Sequence, residues 1–132
     1  MKKDIPVLKV ENLAIAVIPK ENDPDFWEVY VINLEEAPIK SVLITAKAFG
    51  EINGEQRQSA MMRYFFEEMG ALDVQFLEHL PTALTDLTNE YWVSYSYDNN
   101  LWDKRLLILP GSFDPINFIP IPFIEREGIL KR

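Results

Sequence analysis

The sequence predicts an all-β protein: an antiparallel immunoglobulin-like β-sandwich of about seven strands, with one short helical turn and an extended C-terminal segment. Three observations predict it. Apolar and polar residues alternate with period two along most of the chain, the period of a half-buried strand. Turn-forming groups such as Asn53-Gly54 and Asp98-Asn99-Asn100 recur at short spacing. Helical periodicity is confined to one short stretch, so the chain lacks the alternation of a parallel βαβ protein. With 132 residues the chain is long enough to bury a core as a single domain, 1–132, without disulfides or a structural metal. A closed barrel of similar strand count is the alternative architecture.

Taken in order, residues 13–18 are apolar throughout and end at Pro19. Asp23, Pro24 and Asp25 mark a turn. The next strand, over 26–33, is dense in β-branched and aromatic residues and sets Trp27, Val29 and Val31 on one face. Glu35, Glu36, Ala37 and Pro38 punctuate, and then Val42, Ile44, Ala46 and Ala48 alternate with Thr45 and Lys47. Asn53-Gly54 favours a type I′ turn, so 57–66 should return antiparallel to 41–52. Beyond Gly70, residues 73–80 form a further strand, on which strict alternation places Gln75, Leu77 and His79 on one face and Val74, Phe76 and Glu78 on the other. Leu84 and Leu87, behind Thr82 as a candidate N-cap, indicate a helical turn or two. Tyr91, Val93, Tyr95 and Tyr97 then alternate with Trp92, Ser94 and Ser96, and the Asp98 turn leads into a partner strand over 101–109. Pro115, Pro120 and Pro122 keep the remainder out of a central strand, so 113–132 should pack extended on the domain.

Charge narrows the function classes. The chain has 21 acidic and 13 basic residues, a net charge of −8. That balance argues against nucleic-acid binding, which needs a Lys/Arg field to meet phosphates. The excess is local: eight acids and no base lie between Tyr64 and Asp103, whereas the two flanks cancel. No apolar run approaches the roughly 20 residues of a membrane-spanning helix. The basic start is interrupted by Asp4 and Pro6 before any apolar core of a secretory signal, and Cys is absent, so a cytoplasmic protein is expected.

Letters that carry chemistry are scarce. There is no Gly-rich phosphate loop, nucleophile elbow or Cys nucleophile, and the one His, His79, sits in a strand pattern with no partner motif. Glu21-Asn22-Asp23-Pro24-Asp25 offers oxygen ligands but lacks the Gly and terminal Glu of a calcium loop, and is expected to be an Asx turn. The adjacent acids Glu35-Glu36 and Glu67-Glu68 point to opposite faces on regular strands and cannot converge on one atom. No catalytic residue, metal or cofactor is therefore expected.

Two candidate interaction features remain. Glu67, Glu68 and Glu78, within the acidic stretch, would form a docking face for a basic protein partner. Phe118, Ile119, Ile121 and Phe123 alternate with prolines and would either cover the domain or present an apolar ledge. The favoured function is a non-enzymatic protein-interaction module. The alternative is a small-ligand protein or enzyme with an aromatic pocket built from Trp27, Trp92, Tyr95 and Trp102.

The run Trp27-x-Val29-x-Val31-x-Asn33 followed by Ile39-x-x-Val42 resembles an early strand pair of immunoglobulin-like and fibronectin type III-like domains. End to end, the chain resembles a group of small single-domain bacterial proteins of unknown function. The resemblance rests on Met1-Lys2-Lys3-Asp4-Ile5, Tyr30-Val31-Ile32-Asn33, Val42-Leu43-Ile44, Met62-Arg63, Asn89-Glu90, Asp103-Lys104, Ile121-Pro122 and Gly128-Ile129-Leu130-Lys131. Some of that group carry the description phenylalanyl-tRNA synthetase alpha subunit, and the resemblance thus implies association with a tRNA-charging enzyme.

Overall fold

The computed structural model describes the backbone of residues 7–9 and residues 12–132 in full; the Met1-Lys2-Lys3-Asp4-Ile5 motif lies outside the described residues. Eleven strands are described: β1 (Val7–Lys9), β2 (Leu13–Pro19), β3 (Phe26–Asn33), β4 (Ile39–Ile52), β5 (Glu55–Gln58), β6 (Met62–Met69), β7 (Val74–Pro81), β8 (Thr88–Tyr97), β9 (Asn100–Ile108), β10 (Ile119–Pro120) and β11 (Glu127–Lys131). They form a six-stranded sheet, β1-β9-β8-β4 with β5 and β6 sharing the far edge of β4, and a five-stranded sheet, β10-β11-β2-β3-β7. Every pairing is antiparallel except β1 on β9. The seven long strands divide as β2-β3-β7 and β9-β8-β4-β6. That is the immunoglobulin-like order, with the fourth strand beside the third as in variable-type domains.

Local sequence explains the hairpins. Asn53 and Gly54 both have positive φ (52° and 79°), as do Asp98 and Asn99 (51° and 58°), which is the type I′ geometry whose twist matches the strands it joins. The return strand expected over 57–66 is in fact two pieces. Ser59 interrupts it by occupying the β4 edge itself: its amide donates to the Ala48 carbonyl and its hydroxyl accepts from the Ala48 amide, both at 2.8 Å. The helical segment is a 3-10 turn, Thr82–Asp86, entered from Pro81 without a side-chain cap. Thr82 is not the N-cap; its hydroxyl instead donates to the Pro24 carbonyl and pins the turn to the β2–β3 loop.

The core lies between the sheets. Val42, Ile44, Ala46, Tyr91, Val93, Tyr95, Leu106 and Ile108 face Leu13, Ile15, Val17, Val29, Val31 and Leu80. Trp27, Val29 and Val31 share the inner face as expected, and Trp27 meets Phe113 and Phe118 edge-on. β2 is buried on both faces, which explains its unbroken apolar run. Leu13, Ile15 and Val17 enter the main core, while Ala14, Ala16 and Ile18 join Ile32 and Ile121 in a second cluster on the outside of the five-stranded sheet.

The C-terminal segment supplies that outer cover, and only part of it is extended. Two 3-10 turns, Pro110–Phe113 and Pro115–Asn117, set Phe113 and Phe118 against the core. A tight turn follows, in which the Ile124 amide donates to the Ile121 carbonyl and the Ile121 amide to the Arg126 carbonyl. The chain then enters β11, which pairs with β2. The approach is close: a Cβ on Gly128 would lie 2.5 Å from the Val17 carbonyl oxygen, so only glycine fits there. Arg126 clamps the turn through an ion pair to Glu28 at 2.7 Å and a hydrogen bond to the Pro19 carbonyl.

Asn33 ties the sheet crossovers together. It is fully buried, and its amide donates to the carbonyls of Ala37 (3.0 Å) and Gly70 (2.8 Å) while its side-chain oxygen accepts from the Glu35 amide. One side chain thereby satisfies backbone groups of both the β3–β4 and β6–β7 links.

Covering the outer face has a measurable weight. Ile121→Ala should lower unfolding free energy by about 2–5 kcal/mol, the usual range for emptying a buried isoleucine site. Ile116→Ala, in the same segment but 86% exposed, should change it by less than about 0.5 kcal/mol. Urea unfolding monitored by tryptophan fluorescence distinguishes the two.

Candidate functional site

The β6–β7 link carries the chain from one sheet to the other, so these two edge strands lie along the same side of the sandwich. Between them is a cleft of about 280 Å³, lined by Ala46, Ala48, Met62, Leu80, Pro81 and Leu84 with Tyr64, Tyr91 and Glu78. Room exists because β4 changes there from Val42 and Ile44 to Ala46 and Ala48, and because the break at Ser59 and Ala60 leaves the edge open. The cleft is mostly apolar with a few convergent polar groups, the usual character of a small-molecule site.

A β-bulge sets its chemistry. The β3–β7 register shifts so that Val29 opposes Glu78 while Tyr30 opposes Phe76, leaving Leu77 unpaired. Val29 faces the core, and so Glu78 does too. This corrects the strict alternation expected over 73–80: Glu78 and Leu77 both turn inward. His79 instead joins Phe76 on the outer face of the five-stranded sheet, with ring centroids 4.9 Å apart, and also meets Phe26 edge-on.

Inside the cleft the Tyr64 hydroxyl donates to Glu78 Oε1 at 2.5 Å and the Tyr91 hydroxyl donates to Oε2 at 3.0 Å. Burial, and then the hydrogen bond and negative charge of Glu78, hold the Tyr64 phenol far above its ordinary range. Tyr91 is shifted the same way, by burial first and then by the charge of Glu78. Both phenols are thus neutral donors at any physiological pH, and the charge in the cleft is the carboxylate's. Glu78 makes no ion pair among the described residues. Nor do the described residues contain a group of three or more His, Asp or Glu arranged to hold a metal ion.

The acids between Tyr64 and Asp103 do not share one face. Glu67 and Glu68 are exposed near the end of β6, with Glu68 opposite Lys40, while Glu78 lies in the cleft. Asp73 caps the start of β7 by accepting from the Val74 amide and the Gln75 side chain. Glu90 is nearly buried on the outer face of the six-stranded sheet and accepts from Arg105 Nε at 2.8 Å and Nη2 at 2.7 Å. At 21–25 the expected Asx turn is present, with the Asp25 amide donating to Asp23 Oδ1.

The apolar C-terminal residues split in two. Phe118 packs on the core and Ile121 is buried in the second cluster, whereas Ile119 and Phe123 are exposed. The segment is chiefly a cover rather than a ledge. The four aromatics proposed as one pocket do not meet in one either. Trp27 packs with Phe113 and Phe118, Tyr95 and Trp102 stack on each other with ring planes 11° apart, and Trp92 faces outward.

Sequence reading missed a feature of the outer face of the six-stranded sheet. Phe65 opposes Leu43, and two residues further along β4 Thr45 opposes Trp92, which in turn opposes Arg105. Phe65, Trp92 and Leu43 are 62%, 43% and 41% exposed. Period two already set Trp92 and Leu43 opposite the buried tyrosines and valines of their strands; only the strand order brings Phe65 alongside them. No protein-family model, curated protein or solved structure matches this chain.

The phenols make alkaline stability a readout of the cleft. An unfolded tyrosine loses its proton near pH 10, whereas Tyr64 and Tyr91 keep theirs in the folded protein. Their contribution to stability is complete below about pH 10 and declines as pH rises above it, because the unfolded chain then binds fewer protons than the folded one. Phenolate absorbance of the folded protein should therefore report fewer than the five tyrosines present until the chain unfolds. Glu78→Gln should move the Tyr64 titration to lower pH by removing the adjacent negative charge.

Proposed function

We propose that this chain is a non-enzymatic β-sandwich module that binds another protein through the outer face of its six-stranded sheet. The supporting observation is an asymmetry between the two outer faces. The five-stranded sheet has its outer apolar residues over β2 covered by the chain's own C-terminal turn, with Ile121 nine-tenths or more buried, and its remaining exposed outer rings, Phe26 and Phe76, pack on His79. The six-stranded sheet has no such cover over Leu43, Phe65 and Trp92, among the described residues. Large apolar side chains grouped on the solvent face of an antiparallel sheet are the ordinary mark of an association surface, and Trp and Phe are frequent anchors at one.

Charge around the patch argues for the kind of partner. Arg63 lies beside Thr45 at the β6 edge, Arg105 beside Trp92, and Lys47 follows on β4. Glu90 is already engaged by Arg105. Among the described residues the unpaired charges at the patch are therefore mixed, Arg63 and Lys47 on one side and Glu67, two residues beyond Phe65 on the same side of β6, on the other, which suits a partner whose apolar contact is bordered by a carboxylate facing Arg63. Glu78 is directed into the sandwich and Glu68 stands opposite Lys40, so of the three acids Glu67 alone borders this face.

A photo-crosslinking residue at position 65, installed in the full chain in its native cell, tests the proposal. It should capture a discrete protein that, once identified and purified, rebinds the wild-type chain. Binding should weaken at least tenfold with Phe65→Asp or Arg63→Glu, and should weaken as salt is raised. Phe123→Asp, on the opposite side, should leave it unchanged. Rebinding that survives Phe65→Asp, or equal capture from position 123, would overturn the assignment. Recovery of a tRNA-charging enzyme as that protein would support the association implied by the sequence resemblance.

A further inference from the structure

The β6–β7 cleft has a composition that the protein-binding face does not explain. Its one charged group turned inward is the Glu78 carboxylate, directed into the sandwich by the β7 bulge and meeting no cationic partner among the described residues. Both carboxylate oxygens are engaged, but by neutral phenols, so the negative charge itself is uncompensated. Of the bases that border it, His79 turns to the outer face of the five-stranded sheet against Phe76, and Lys47 belongs to the opposite face of β4 from Ala46 and Ala48, its ammonium 5.8 Å from the centre of the Phe49 ring. A carboxylate set among apolar walls is costly when unpaired, and a cation delivered to it gains correspondingly.

The walls specify which cation. Tyr64 and Tyr91 meet the carboxylate through their hydroxyls, whose oxygens keep lone pairs that can accept from the N–H groups of an ammonium. Ala46, Ala48, Met62, Leu80 and Leu84 supply apolar contact for a short alkyl chain, and Met62 is an adaptable side chain at the mouth. Metal cations are poorly served, since hard cations require several oxygen ligands and the cleft offers one carboxylate whose oxygens already accept hydrogen bonds. The volume, about 280 Å³, lies just below the roughly 300 Å³ at which drug-sized ligand pockets begin. We propose that the β6–β7 cleft is a binding site for a small alkylammonium group, with Glu78 as its counter-ion, Tyr64 and Tyr91 fixing that carboxylate, and the alkyl chain resting on Ala46, Ala48 and Leu80.

The test uses n-butylammonium as the probe, with n-butanol and butyrate as uncharged and anionic counterparts, followed by amide NMR of the full chain. Butylammonium should give saturable shifts centred on Ala46, Ala48, Met62 and Tyr91, and the two counterparts should give none there. Glu78→Gln should weaken binding at least tenfold. Tyr64→Phe, which keeps the ring and the charge, should weaken it only a few-fold. Should the Gln variant fail to fold, the comparison of butylammonium with butanol in the wild-type protein still decides, because only the charge separates them. Absence of saturable shifts, equal binding of butanol, shifts centred elsewhere, or a folded Gln variant that binds as tightly would each overturn the proposal. A capped lysine binding more tightly than butylammonium would assign the group to a protein side chain, and weaker binding would assign it to a free amine.

Discussion

The burial of β2 on both faces is the constraint on which the rest of the molecule depends. A sandwich buries one face of each sheet as a matter of course, but the outer face of β2 carries Ala14, Ala16 and Ile18 at no more than 1% exposure. Alanines there make a shallow surface, and the tight turn that begins at Ile121 lies close on it. From this follow the glycine at position 128, where β11 approaches the Val17 carbonyl too closely for any side chain, and the clamp of Arg126 on Glu28 and Pro19. The C-terminal segment serves one side only, and among the described residues Phe65, Leu43 and Trp92 remain in solvent on the other.

Much of the architecture was legible in the sequence because it rests on local rules. Alternation located the inner faces of β3, β4 and β8, and the left-handed pairs Asn53-Gly54 and Asp98-Asn99 located the hairpins. The cleft was not legible, because it depends on one unpaired residue. Nothing in the run from Val74 to Leu80 announces that Leu77 is passed over by β3, yet that single slip reverses the faces of Glu78 and His79. β11 was missed for a different reason. Gly128-Ile129-Leu130 is too short to show a period, and its strand character comes wholly from pairing with β2. The division between β5 and β6 likewise depends on a tertiary contact, the double hydrogen bond of Ser59 to Ala48.

Net charge proved a poor guide to the surface for a related reason. Eight acids concentrated in forty residues of sequence are dispersed by the fold into separate tasks. Asp73 caps a strand, Glu90 is engaged by Arg105, Glu78 is held by two tyrosines, and Glu68 stands opposite Lys40. A stretch of chain that crosses between sheets cannot keep its charges on one side. Asn33 shows the same principle in neutral form: its amide serves two crossovers whose contacts lie 4 and 37 residues away.

The Arg126 clamp joins groups 107 residues apart in the chain. Order of assembly is therefore built into this molecule. β2 and β3 can pair as soon as both exist, but the outer surface they create stays wet until the turn at Ile121 and β11 arrive. Contacts of such long range slow folding, and an apolar sheet face left open in the interval is a site where two unfinished chains can meet. The residues that finish the structure are thus also the ones that end its vulnerability to aggregation, a kinetic role that the completed sandwich no longer displays.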